Sequence, residues 1–269
     1  MNYLSLSVSD LILASLLVLA LGLSSLRFKL GIFRSLIFGA IRTTVQLTLA
    51  GWLLRFLFGA SNPIWIVLMG LVMLGAASRE VLVRQKRRFR GLPGFAMGGV
   101  SMFLSSFVVA ILALGLMLKP DPWYSARYSI PLLGMLLGNT MNGVGLSLDR
   151  LTQGAWQQRH QIEGRLLLGM SWEEAIGPLR RESIQSGLIP VFNALAAAGL
   201  VSLPGMMTGQ ILAGAEPMEA VKYQILIMFL IAAGTGFGSL CAVLLGARRL
   251  FDERERLRLD RLVAGRHSS

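Results

Sequence analysis

The sequence predicts an all-α fold, a polytopic transmembrane helical bundle of about seven spans forming one membrane domain over residues 1–269. Three observations predict it. The chain is 54% hydrophobic and only 15% charged, a balance that suits a multi-span membrane protein and not an ordinary soluble domain. Apolar stretches of about 20 residues, enough to cross a hydrocarbon core, recur from one end to the other. Lysines and arginines fall in short runs between those stretches, and the runs alternate between rich and poor, the asymmetry that sets orientation across a bilayer. A sequence pI of about 11.1 would suggest nucleic acid in a soluble chain; here the membrane rule accounts for the basic residues and no nucleic-acid partner is expected.

The first stretch, Val8 to Leu26, has only Asp10 ahead of its apolar run and Arg27, Lys29 and Arg34 behind it. A cleaved leader has its basic residues in front, so this reads as a retained first span with its N-terminus outside. The others are Leu36 to Phe58, Ile64 to Val83, Phe95 to Leu118, Tyr128 to Leu148, Ile184 to Ile211 with interruptions, and Val221 to Leu245. With the N-terminus outside, the inner face receives the first basic cluster, the run from Arg79 to Arg90, Arg150, Arg159, Arg165, Arg180 and Arg181, and a charged tail over about 248–269. The outer face receives only Arg55, Lys119, Arg127 and Lys222. The C-terminus is therefore placed in the cytoplasm.

Turn residues mark the outer connections at Ser61-Asn62-Pro63, Lys119-Pro120-Asp121-Pro122 and Gly214 to Pro217,. Trp52, Trp65, Trp123 and Tyr124 lie near the outer boundary, where they read as interfacial anchors. The tail segment Phe251 to Leu262 mixes charges of both signs at helical spacing and is predicted to prolong the last span as a solvated helix,. The chain does not divide into two similar halves, which weighs against an inverted-repeat carrier.

Between the fifth and sixth spans lies a long cytoplasmic insert, about 149–187, whose stretch Glu163 to Pro190 reads as a helical elbow. Ser171 and Glu174 have capping-box spacing, so a helix is predicted from Trp172. Gly169 lets the chain turn into that cap, and Pro178 should kink or restart the helix near Gly177, giving two short pieces. The elbow then runs without a spacer into the apolar segment Gly187 to Ala198, so a push on it would reach a membrane helix.

Chemistry is sparse elsewhere. Arg42 and Gln46 share a face of the second span and either line a path or lie at the interface. Gly134 and Gly138 have small-xxx-small spacing, repeated at Gly94/Gly98, Gly205/Gly209 and Gly234/Gly238, and Asn139 and Asn142 beside the first pair can bond across helices,. In the sixth span Ser202, Pro204 and Gly205 interrupt an apolar run, a break that suits a gate or a lining element. Met206 and Met207 offer thioethers for a soft metal or simply pack. His160 and His267 have no partner at metal-ligand spacing, Cys241 is a single cysteine, and no phosphate-binding loop motif occurs,. No enzyme activity is expected of the chain, and any ATP hydrolysis would reside in another polypeptide.

Those residues resemble a known family, the FetB-like permease subunits of ABC transporters linked to bacterial iron export, with plant relatives linked to aluminium tolerance. The likeness is densest in LVSLPGMMTGQILAGAEPMEAVKYQI, Leu200 to Ile225. It extends to Arg42 with Gln46-Leu47, to Gly134-Met135, Gly138-Asn139 and Val144-Gly145-Leu146, and to Leu168-Gly169, Arg181-Glu182-Ser183-Ile184 and Ile189-Pro190. The elbow is also similar to the coupling loop of ABC importers, with Glu163, Gly169 and Pro190 in comparable order but Gly164 and Arg165 where that motif has two alanines.

The resemblance implies a permease homodimer, contacting membrane lipid in a bacterial inner membrane, paired with separate ATPase subunits that bind ATP and Mg and drive export of iron or another metal ion. No cofactor is implied in this chain, and its metal ligands, if any, are unknown. The ATPase-coupling set would be Glu163, Gly169, Ser171, Glu173, Glu174, Arg180 and Arg181. The translocation-path or gate set would be Arg42, Gln46, Asn139, Asn142, Ser202, Pro204, Gly205, Met206 and Met207. The rival reading is a stand-alone channel or secondary carrier, its elbow regulatory and its broken helix a selectivity element.

Overall fold

The computed structural model describes residues 7–59 and 62–265; Ser61 of the predicted outer turn and Arg266 and His267 of the tail lie outside the described residues. The chain divides into two compact units, Met1–Ser61 and Asn62–Ser269. The first holds α1 (Val8–Arg27) and α2 (Phe33–Gly59). Ser7 and Asp10 form a capping box that starts α1, and Lys29 and Gly31, both at positive φ, turn the chain between the helices. Gly22 lets the Phe33 ring lie against α1, where a Cβ would sit 3.1 Å from it.

The second unit begins with α3 (Ile64–Arg84) and a short strand β1 (Arg87–Phe89). One helical rod of 27 residues follows, Leu92–Leu118. It comprises α4 (Leu92–Met102) and α5 (Val108–Leu112) with π-helical stretches at Phe103–Phe107 and Ala113–Leu118. Then come α6 (Ala126–Gln157), α7 (Arg159–Leu167), α8 (Trp172–Ala175), α9 (Gly177–Ala197), α10 (Gly205–Leu212), α11 (Pro217–Arg249) and strand β2 (Leu262–Ala264).

Among the described residues, five helical segments are long and apolar enough to cross a membrane: α1, α2, α3, the rod Leu92–Leu118 and α11. The predicted fifth and sixth spans are also helical, as α6 and as α9 with α10, but both are more polar. Burial explains why α6 differs. It packs on α3, α4, α9 and α11, and residues such as Thr140, Ser147 and Thr152 on it are shielded by protein. A helix wrapped by its neighbours has no need of a wholly apolar surface.

Small residues let these helices meet. A Cβ on Gly187 of α9 would collide with Ser147 of α6 and lie 2.5 Å from the Gly143 carbonyl. One on Gly143 would collide with Thr235 of α11, and one on Gly238 would sit 2.6 Å from Thr140 and 2.8 Å from Ser105. Of the predicted glycine pairs, Gly94/Gly98 and Gly234/Gly238 do mediate close contacts, whereas Gly138, Gly205 and Gly209 face open space and Gly134 meets only the tip of Met73. The tightest crossing, Gly143 with Gly187, has no four-residue spacing because its partners lie on different helices.

Contacts also fix the helix directions. At one end of the unit Arg84, closing α3, donates to Asn142 Oδ1 of α6 at 2.7 Å, and the Lys86 amide donates to Asp149 at 2.8 Å. Gly246, near the end of α11, packs on Leu148 and Leu151. At that same end α4 starts with Gly94 against Phe89, and α9 starts with Leu179 against Gly154 and Glu182 paired to Arg150. Hence α3, α6 and α11 finish where α4 and α9 begin.

The tail differs from the expectation of a prolonged helix, and it adds strand to an all-α prediction. Helix α11 stops at Arg249, and the chain folds back through a Phe251–Leu257 bridge to pair β2 with β1 antiparallel, Arg87 opposite Ala264. Its alternating charges are used within turns: Arg256 and Arg258 pair with Asp252 and Asp260, and Leu250, Phe251 and Leu262 are buried. Apolar residues bracketing the charges, not helical charge spacing, decide the conformation.

Substituting Gly187 by alanine should therefore lower stability by about 1–3 kcal/mol through overpacking, whereas Gly209→Ala, in an open helical position, should be neutral or gain about 0.5–1 kcal/mol. Unfolding of both variants in one detergent checks the contrast.

Candidate coupling elbow and helix break

The elbow is built as its sequence dictates. Gly169 at φ +87 turns the chain out of α7. The Ser171 hydroxyl accepts from the Glu174 amide at 3.4 Å, and Glu174 Oε2 accepts from the Ser171 amide at 2.9 Å. These reciprocal bonds start α8 and hold the Glu174 carboxyl below its usual range, the Ser171 amide contributing most. Losing such a cap costs about 1 kcal/mol. Gly177 then opens α9 with Pro178 in its first turn, where the missing N–H is harmless,. Instead of two short pieces, a four-residue helix joins a lever of 21 residues.

The elbow does not hang free, because the tail grips it. The Trp172 amide donates to Glu255 Oε2 at 3.0 Å, and its ring lies 5.5 Å from that of Phe251 and 5.3 Å from the Arg248 guanidinium. Arg165 reaches across to the Ala175 carbonyl at 2.9 Å. The Arg256 amide, then its guanidinium and the Arg254 amide, draw the Asp252 carboxyl down to about 2 against the cost of desolvation. Beside these contacts a cavity of about 850 Å³ separates α7 and the Gly169 turn from residues 253–257, and Glu163 and Gly169 both line it.

The other candidate coupling residues differ in their surroundings. Glu163 and Glu173 are exposed, Glu163 lying 3.9 Å from His160; Arg181 is exposed and Arg180 half-buried on the first turns of α9. Ser171 and Glu174 spend their polar atoms on each other. Sequence reasoning chose charged residues and missed the exposed apolar knuckle Leu167-Leu168, 89% and 82% exposed at the tip of the elbow. The signal was present as three consecutive leucines, Leu166 to Leu168, inside a polar insert.

The second feature is the break. Helix α9 ends at Ala197, and the carbonyl of that residue accepts from the Val201 and Ser202 amides at 3.0 and 3.1 Å. Gly199 at φ +83 donates to the Ser202 carbonyl, closing a tight loop. Pro204, extended at ψ 142, caps α10. The Ala197 carbonyl and the amides from Gly199 to Ser202 are thus satisfied within the loop itself, while Leu200, Val201 and Leu203 project from it. Met206 packs against the apolar cluster that includes Val109, Leu132 and Ile227.

The other path candidates are scattered. Arg42 and Gln46 lie on α2 in the first unit, both exposed. On α6, Asn142 bonds across to Arg84 as predicted for this pair, but Asn139 turns back to the Met135 carbonyl of its own helix at 2.8 Å. Among the described residues, no three His, Cys, Asp or Glu side chains gather as a metal cluster would require.

Comparison with known proteins gives this architecture its relatives. A UPF0014 membrane protein of Synechocystis sp. is 39% identical over 217 residues, 80% of this chain and 83% of that protein. The probable iron export permease protein FetB of Escherichia coli strain K12 is 31% identical over 263 residues, 97% of this chain and 99% of that one. The Arabidopsis thaliana protein ALUMINUM SENSITIVE 3 is 31% identical over 211 residues, 78% of this chain and 75% of its own length. No solved structure matches the chain. The model of an uncharacterised protein family, UPF0014, matches residues 8–251, and with relatives of that breadth the chain belongs to the UPF0014 family of integral membrane proteins.

Proposed function

We propose that this chain is the membrane-spanning permease subunit of an ATP-binding cassette transporter, exporting iron or another metal ion and driven by a separate ATPase that binds ATP and Mg. The name of the Escherichia coli relative, a probable iron export permease, supports the substrate class. The observation that carries the transport mechanism is the continuity of the elbow with the core. The capped α8 joins α9 at Gly177, and α9 crosses α6 at Gly187 and packs on α11 beside it, continuing as helix to Ala197.

In this reading α6 and α9 with α10 cross the membrane as the fifth and sixth of seven spans, the N-terminus outside and the C-terminus cytoplasmic. The alternating helix directions support it, because they gather Arg84, the β1 arginines, Arg150 and Arg248 at one end, the face the positive-inside rule assigns to the cytoplasm,. Two copies of the chain form the pathway in a bacterial inner membrane, each docking one ATPase. Leu167 and Leu168 enter the ATPase groove as apolar anchors, with Glu163, Glu173, Arg180 and Arg181 on the rim; buried apolar anchors carry affinity and rim charges carry orientation. Closure of the ATPases then moves α9 as a lever, and the loop from Ala198 to Pro204 with Gly205 and Met207 yields as the gate. Asn139 and Asn142 belong to the pathway wall within the second unit, and Arg42 and Gln46 are the path candidates of the first.

Leu167→Glu combined with Leu168→Glu should leave the permease folded and reduce ATPase retention on co-purification by at least about 10-fold, the effect of losing an interface anchor. Undiminished retention and ATP hydrolysis would contradict the docking role. At the break, Pro204→Ala with Gly205→Leu should let α9 and α10 fuse and cut transport several-fold while the ATPase complex assembles normally; transport at the native rate would make the loop a simple kink.

A further inference from the structure

Two adjoining cavities in the second unit have the form of a lipid. The first, about 820 Å³, opens where α4 begins and α11 ends, and five arginines line it against two acids. Asp252 is already satisfied by Arg256 at 2.9 Å and by the Arg254 and Arg256 amides. Arg261 is spent on the Arg249 and Phe251 carbonyls. Exposed Arg248, Arg249 and Arg254 have no carboxylate partner among the described residues, and Arg248 lies 5.3 Å from the Trp172 ring centroid. The floor is apolar, formed by Ala96, Met97 and Leu245.

The second cavity, about 520 Å³, runs from that floor along the bundle between the rod Leu92–Leu118 and α11. Its lining is almost wholly apolar, from Leu104 and Val108 on one side to Phe237 and Leu240 on the other. Leu245 lines both cavities, so the two lie on either side of one side chain. Both flanking helices are among those able to cross a membrane, so the arginines lie at the level of phospholipid headgroups and the groove at the level of acyl chains.

We propose that this pair of cavities is a binding site for one anionic phospholipid, its phosphate held by Arg248, Arg249 and Arg254 and an acyl chain lying in the groove between the rod and α11. Guanidinium groups bind phosphate oxygens through paired N–H donors, and basic pockets between membrane helices select anionic headgroups. A free phosphate would use the arginines and leave the adjacent apolar groove unexplained, so the pairing of the two cavities favours the lipid. Arg248 and Phe251 also hold Trp172, so the headgroup site and the elbow share a wall.

Native mass spectrometry of the full-length protein in mild detergent, titrated with phosphatidylglycerol and with phosphatidylethanolamine, tests the site. Phosphatidylglycerol should be retained preferentially, and Arg249→Gln with Arg254→Gln should weaken it about 10- to 30-fold, two surface arginines' worth of attraction. Arg127→Gln with Lys222→Gln, far along the chain from this site, should leave it unchanged. Inorganic phosphate in excess should not displace the lipid. Equal retention of the two lipids, or displacement by inorganic phosphate, would overturn the proposal. So would an Arg249/Arg254 variant that keeps its lipid but sheds a co-purifying protein, which would make the arginines a protein-docking surface.

Discussion

The close approach of α6, α9 and α11 at Gly143, Gly187 and Gly238 is the constraint on which the second unit depends. In lipid, helices gain little from burying apolar surface against one another, so association relies on van der Waals contact and on polar groups that prefer protein to hydrocarbon. Glycine backbones brought against the Ser147, Thr140, Thr235 and Ser239 side chains supply the van der Waals contact, the four buried hydroxyls making no hydrogen bond across it. The consequence is mechanical. A lever that crosses its neighbours at backbone distance cannot tilt without moving them, because a well-packed contact shifts between arrangements and does not stretch.

That constraint gives the elbow its meaning. A capping box fixes where α8 begins, Pro178 fixes where α9 begins, and Leu179 seats against Gly154 of α6. Force applied at Leu167-Leu168 would therefore arrive at Gly187 with little lost in between. The folded-back tail adds a brace on the other side: Glu255, Phe251 and Arg248 hold Trp172, while β2 is tied through β1 to α6 by the Thr152 hydroxyl and by Arg87 over the Trp156 ring at 3.7 Å. Elbow, tail and the α3–α4 connection thus form one plate at the basic end of the unit.

Local features were legible in the sequence wherever short-range chemistry decides them. The Ser171–Glu174 cap, the restart at Pro178, the turn at Gly169 and the break before Gly205 each follow from a few neighbouring residues, and each is present. Features that depend on tertiary partners were not legible. Gly143 and Gly187 are 44 residues apart, so no spacing rule pairs them, and the regular pair at Gly205 and Gly209 looks equally good in sequence yet faces open space. The tail's course is not legible either, because charges at helical intervals suit a solvated helix, while the strand partner that captures Leu262 to Ala264 lies at Arg87 to Phe89. Of the candidate site, the cap and the helix restart could be read but not the length of α9, and the three leucines Leu166 to Leu168 could be read but not their exposure, which is a property of the folded chain.

The central claim is that movement of α9 is powered from outside the chain. Reconstitution into liposomes loaded with ferrous ion tests it most directly, with efflux followed by a chelator dye for the chain alone and then with its co-purified ATPase and Mg-ATP. Efflux that requires both the ATPase and ATP hydrolysis is the predicted result. Steady efflux through the chain alone, unaffected by nucleotide, would contradict it.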